Sequence, residues 1–199
     1  MKYIYFIILT CVTINIGIAQ ETPLEIGGSK HLILWDGLFF QKDSILPFTG
    51  INEKFYDNGQ LEESNSYENG IMEGNHTTYF KNGQIMHDKF YKDGLKHGRL
   101  TSYYKDGSKR HEAFYVAGKV EGMGISWYQS GQKRREVNTI HGKKDGIHTI
   151  WQENGLILSE ENFVNGVQEG KTIVFDKNGK PFLERIFKDG IMVSENRLD

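Results

Sequence analysis

Three sets of side chains in this 199-residue sequence recur at spacings that could do chemistry: histidines, carboxylates and tyrosines. The histidines are His31, His76, His87, His97, His111, His141 and His148, and His87 and His111 stand 24 residues apart. A shared metal needs ligand nitrogens about 2 Å from the ion. If 24 residues make one hairpin of a sheet, equivalent positions lie two strands, about 10 Å, apart. Surface histidines are therefore expected, with no metal site. Asp88, Glu112, Glu136, Glu160 and Glu184 share the same step. Calcium takes six to eight oxygens within about 2.6 Å, and one carboxylate every ~10 Å does not supply them. The expectation is a solvated charged stripe, with Arg110 and Arg134 two residues earlier as partners, that also discourages edge-to-edge stacking. Tyr56, Phe80, Tyr104 and Tyr128 form an aromatic row that is either core or a ladder for stacking on sugar rings.

Catalytic groupings do not emerge. Serine occurs in no nucleophile-elbow context, the glycines do not form a phosphate cradle, and Cys11 is the only cysteine. The sequence assigns no catalytic residue, cofactor or metal ligand, and an enzyme is not expected. Asn75-His76-Thr77 is a formal glycosylation sequon, a motif common by chance.

The shared 24-residue step belongs to the elements that carry these residues. One glycine lattice runs Gly50, Gly74, Gly98, Gly122, Gly146, Gly170; a second runs Gly59, Gly83, Gly107, Gly131, Gly155, Gly179; a third runs Gly70, Gly94, Gly118, Gly142, Gly166, Gly190. Fixed-period self-similarity marks a repeat architecture. Asn or Asp precedes the glycine in Asn58-Gly59, Asn82-Gly83, Asp93-Gly94 and others, the chemistry of tight turns that require positive φ. Turns at 9- to 15-residue spacing predict antiparallel strands. The fold class is all-β: an elongated antiparallel sheet of six stacked hairpins.

Aromatics follow the lattice. Phe55, Tyr79, Tyr103, Trp127, Trp151 and Phe175 lie five residues after the first glycine, and Tyr67, Tyr91, Tyr115, Thr139, Phe163 and Phe187 lie seventeen after it. Neighbouring rungs pack in a stacked array. A two-residue first turn would place the return row with Tyr56, Phe80, Tyr104 and Tyr128, and a three-residue turn with a glycine bulge would place it with Phe55 and its equivalents. The bulge is expected, with the two most regular ladders on one face.

The ends differ in composition. Residues 1–19, with Lys2 before an apolar run and Gly17-Ile18-Ala19 at its end, read as a signal peptide cut after Ala19. The destination would be secreted, periplasmic or outer-envelope, and the exported chain would have no cysteine. Residues 20–30 read as a linker, 31–49 as a capping hairpin, 50–193 as the repeats and 194–199 as a polar tail. Net charge is −2 with both signs mixed along the chain. That argues against a nucleic-acid surface and weakens attraction to anionic lipid.

Tyr79-Phe80-Lys81-Asn82-Gly83 followed by Tyr91-Lys92-Asp93-Gly94 and Gly98 resembles the MORN repeats, most closely the bacterial MORN-variant branch. Pro47-Phe48-Thr49-Gly50 is similar to the usual entry into that branch. The resemblance covers about residues 36–193 and departs from the pattern at Thr139, Gln152 and Asp176. It implies sheets of successive hairpins with roles in tethering, scaffolding and membrane or protein contact. Members are often labelled antitoxin components, which is a family name and not a mechanism. A protein-binding scaffold of unknown partner is the primary expectation; an antitoxin or immunity role, and a glycan- or membrane-surface module, are the alternatives.

Overall fold

The computed structural model describes residues 24–26, 28 and 30–198; the expected signal peptide, Cys11 and most of the linker lie outside them. Every regular element is a strand. A three-stranded antiparallel sheet is formed by Leu24–Ile26, Leu32–Trp35 and Leu38–Gln41, so part of the expected linker pairs with the capping hairpin. A fifteen-stranded antiparallel sheet then runs from Gly50 to Arg197, its strands adjacent in chain order. Among the described residues no helix is long and apolar enough to cross a membrane.

Two turn types alternate. In the first unit Gly59 N–H donates to Tyr56 C=O (2.9 Å), Tyr56 N–H donates to Gln60 C=O (2.8 Å), and Gly59 has φ +81°. This is the expected three-residue turn closed by a glycine bulge. At the other end Asn69 (φ 48°) and Gly70 (φ 78°) form a two-residue turn between the paired residues Glu68 and Ile71. Positive φ at both central positions matches the right-handed twist of the flanking strands. Ala117 and His141 hold the same conformation without an Asn or Asp side chain to favour it.

The register corrects one expectation. Phe55 pairs with Leu61 but Lys54 pairs with Glu63, so Glu62 is an extra residue on the return strand. Every unit repeats the shift, with Met86, Arg110, Arg134, Leu158 and Phe182 as the extra residues. Gly50 consequently pairs with Tyr67. Since side chains alternate between faces, the Tyr67 row shares a face with Tyr56, Phe80, Tyr104 and Tyr128. The Phe55 row lies on the other. The turn is the expected one; the second extra residue reverses its consequence.

Apolar burial is thin, as expected of a single-layer sheet. Leu32, Phe48 and Tyr67 form the buried cluster, with Phe39 and Met72 against it. The Tyr67 ring centroid lies 4.7 Å from that of Phe39 and 5.8 Å from that of Phe48. Gly70 stitches this seam: its N–H donates to Phe48 C=O and its C=O accepts from Phe39 N–H, both at 2.8 Å. The capping hairpin thus covers the first repeat, as terminal units of arrays do. At the far end Ser194 to Arg197 belong to the last strand, Ile191–Arg197, which pairs with Pro181–Lys188, and so do not form a free tail.

Candidate functional site

Pairing defines two faces. One carries His76, His87, His111 and His148; the other carries Asp88, Glu112, Glu136, Glu160 and Glu184. They are called the histidine face and the carboxylate face below.

On the carboxylate face, Trp127 and Trp151 lie beneath Lys109 and Lys133, whose ammonium groups stand 5.8 and 5.6 Å from the ring centroids. The same lysines pair with Glu112 and Glu136, and Lys171 pairs with Glu184 at 2.9 Å. The partners are lysines, not the expected Arg110 and Arg134. Those arginines sit at the extra-residue positions and lie over Tyr104 (6.0 Å) and Tyr128 (5.7 Å) on the opposite face. Among the described residues no cluster of His, Cys, Asp and Glu is arranged to hold a metal ion.

The row considered for sugar stacking has a structural use. Tyr56 Oη donates to Tyr79 C=O (2.7 Å), Tyr104 Oη to Trp127 C=O (2.8 Å) and Tyr128 Oη to Trp151 C=O (2.8 Å). Each hydroxyl ties one repeat to the backbone of the next. Lys81 covers the Tyr56 ring at 5.5 Å as the arginines cover the other two. Gln152, where an aromatic was expected, makes a similar inter-repeat bond through its amide, to the carbonyl one residue further on, Asp176 C=O at 3.1 Å. Asp176 instead accepts the N–H groups of Asn178 and Lys180 within its own turn, both at 2.9 Å, and these bonds hold its carboxyl below the usual range. Thr139, the third departure, is buried opposite Gly122 in place of a ring.

A second set of inter-repeat ties was not anticipated. Glu73 accepts Asp93 N–H (2.7 Å), Glu121 accepts His141 N–H (2.8 Å), Asp145 accepts Asn165 N–H (3.1 Å) and Glu169 accepts Asp189 N–H (2.8 Å). Thr49 Oγ1 does the same for Asn69 N–H at 2.8 Å. Each acceptor immediately precedes a lattice glycine, a periodic signal the sequence carries openly. The carboxylate satisfies the first N–H of a positive-φ turn that the ladder cannot reach.

Together these features define one unit: a glycine-bulge turn, a two-residue positive-φ turn, and side chains that bond 20 to 24 residues onward. Residues 48–69, 72–93 and 96–117 each match the family model for the MORN repeat variant. The three hairpins within residues 48–117 are MORN-variant repeats. No curated protein matches the chain. Beyond the matched residues the same pairing register continues through Phe187, including the hairpins that lack the expected aromatics. The repeat type supports a scaffold, a class that is typically non-catalytic.

The histidines divide by place. His31 and His141 stand at positive-φ turn positions, with φ of 47° and 51°, and His97, just before Gly98, donates its N–H to Phe90 C=O. His76 stacks on Tyr91 (5.6 Å) with Nε2 3.0 Å from Glu63, and the imidazole holds the Glu63 carboxyl below its usual range. His148 is 3% exposed, with Nδ1 3.2 Å from Glu161. Burial and Lys144 push its pKa down, against the opposing pull of Glu161. His87 and His111 line one cleft with Lys89, Arg110, Arg134 and Arg135. Both imidazoles are pushed down chiefly by burial, then by cations: Lys89 and Arg110 at His87, Arg135 and Arg110 at His111. The sequence placed these two histidines apart on the surface; the fold puts both on one concavity.

Proposed function

We propose that this chain is an exported scaffold whose MORN-variant sheet binds a protein partner across its carboxylate face. The observation that supports this most is the exposure of large apolar side chains there. Phe114, Met123 and Ile147 are 47%, 50% and 62% exposed, and their cross-strand partners are Arg99, Asn138 and Asn162. Apolar residues set among charged and polar ones are the composition of a protein-binding surface. The periodic display lets a partner make equivalent contacts at several repeats. Export rests on residues 1–19 and is checked by N-terminal sequencing of the chain recovered outside the cytoplasm, where Gln20 is expected first. Binding is tested by crosslinking in the native host, comparing the unaltered chain with Phe114→Asp/Met123→Asp/Ile147→Asp. A partner captured by the first and lost from the folded triple variant supports the reading; equal capture by both defeats it.

A further inference from the structure

The histidine face gathers positive charge that the sequence disperses. Its cleft, about 480 Å³, is lined by His87, Lys89, Arg110, His111, Arg134 and Arg135. Gly124 and Ser126 keep its floor low. No carboxylate is among its lining residues, although acidic residues adjoin these cations in sequence. Asp88 separates His87 from Lys89, Glu112 follows His111, and Glu136 follows Arg135. The pleat sends alternate side chains to opposite faces, so the acids leave for the other side, where Glu112 and Glu136 pair with Lys109 and Lys133. Among the described residues no ion pair involves Lys89, Arg110, Arg134 or Arg135. Four cations that share a concavity with no carboxylate in its lining repel one another; burial and Lys96 hold the Lys89 ammonium below its usual range against the pull of Glu63 from outside the lining, and a bound anion relieves that cost.

We infer that this cleft is a binding site for a small soluble molecule carrying a phosphate or sulfate group. The volume falls within the range of about 300–1,000 Å³ usual for small-ligand sites. Guanidinium forks match the oxygens of such groups two at a time. The positive charge is an island: along the same face Glu63 occupies the position of His87 one repeat earlier, and Glu161 that of Val137 one repeat later. That limit favours a compact anion over a nucleic-acid strand or an extended anionic bilayer.

The histidines make the site responsive to pH. His87 is faced across its strand neighbours by Thr78, which bonds its Nδ1 at 3.0 Å, and by Ser102, and it feels Lys89, Arg110 and His76. His111 lies between Ser102 and Ser126 and feels Arg135 and Arg110, opposed by a backbone bond at Ile125 and by Glu112. Without ligand these surroundings disfavour imidazolium. A bound dianion reverses the balance, so binding takes up protons and tightens as pH falls.

Inorganic sulfate is the test probe, because its charge is constant through this pH range. The full chain is titrated with sodium sulfate at constant ionic strength while the imidazole resonances of His87 and His111 are followed by NMR. Charged hydrogen bonds of the usual strength predict at least about tenfold weaker binding in Arg110→Gln/Arg135→Gln. Arg99→Gln, on the carboxylate face, is expected to stay within about twofold, since only screened long-range charge is lost. Affinity is expected to be higher at pH 5.5 than at pH 7.5, with the difference abolished in His87→Gln/His111→Gln. Should the double arginine variant fail to fold, Lys89→Met replaces it, with several-fold weakening expected. The inference is overturned by shifts that do not saturate, by equal loss in Arg99→Gln, by unchanged affinity in the cleft variants, or by binding only to phosphatidic acid vesicles and not to free sulfate or phosphate.

Discussion

Removing one hydroxyl from a tyrosine that ties two repeats tests the inter-repeat bonds with little other disturbance. In Tyr104→Phe the ring and its contact with Arg110 remain, and only the 2.8 Å bond to Trp127 C=O is lost. A neutral hydrogen bond contributes about 0.5–1.5 kcal/mol net. Tyr56, Tyr104 and Tyr128 serve three different junctions and should act nearly additively at separations of ~10 Å or more. The triple Phe variant should lose roughly 3 kcal/mol on that basis. The second repeat offers the reverse experiment. Phe80 occupies the same position without a hydroxyl, so Phe80→Tyr should create the missing bond to Tyr103 C=O and gain about 1 kcal/mol. Urea unfolding followed by tryptophan fluorescence and circular dichroism reads both changes. Coincident transitions are required, because long repeat arrays can unfold in parts. A loss below about 0.3 kcal/mol in Tyr104→Phe together with no gain in Phe80→Tyr would refute the account of these hydroxyls as inter-repeat ties.

Gly70 and Gly59 separate backbone strain from crowding. Both have φ near +80°, but a Cβ on Gly70 would lie 3.0 Å from Phe39 O and Pro47 Cβ, whereas Gly59 has nothing within 4 Å. Gly59→Ala should cost about 1–2 kcal/mol of left-handed strain; Gly70→Ala should cost that plus about 1–3 kcal/mol of overpacking at the capping seam, read as the difference in urea midpoints. Asp106 should titrate near its value of about 2, because Ser108 and Gln129 bond its carboxylate; carbon-detected NMR should show the midpoint rising in Gln129→Ala. Its contribution is present above the ordinary carboxylate value near 3.8 and is lost as pH falls toward 2. His87 and His111 also have lowered pKa values. Below about pH 6.5 the unfolded chain binds protons that the folded chain resists, so stability should fall on acidification. A urea midpoint lower at pH 5.5 than at pH 7.5, and a smaller difference in His87→Gln/His111→Gln, would bear this out.

The sequence disclosed whatever backbone geometry forces upon residue type. Positive φ at Gly59, Gly70 and their equivalents requires glycine, so the three lattices appear directly and fix the number and order of hairpins. The extra residue beside each glycine-bulge turn was invisible because the position makes no chemical demand. Glu62, Met86, Arg110, Arg134, Leu158 and Phe182 fill it. That single residue per unit reverses the faces, and with them the partners of the carboxylate row and the surroundings of His87 and His111. The cationic cleft was hidden for the same reason. Its charges come from separate strands, and alternation removes from it the neighbouring acids that made the sequence look balanced. Gln152 shows the converse: the break from an aromatic pattern was legible, but its similar donor role required the geometry of the next turn.

Solution scattering tests the central claim, that the repeats form one open sheet. Thirteen strands stand side by side along the main path, which at ~4.8 Å each gives a width of roughly 60 Å. With strands of about 30 Å and the capping sheet added, the chain from Gln20 to Asp199 should have a radius of gyration near ~21 Å. A monomer by light scattering with that radius agrees with the account. A monomer near ~16 Å, the value for a compact globule of this length, would mean that the hairpins pack face to face, and would contradict it.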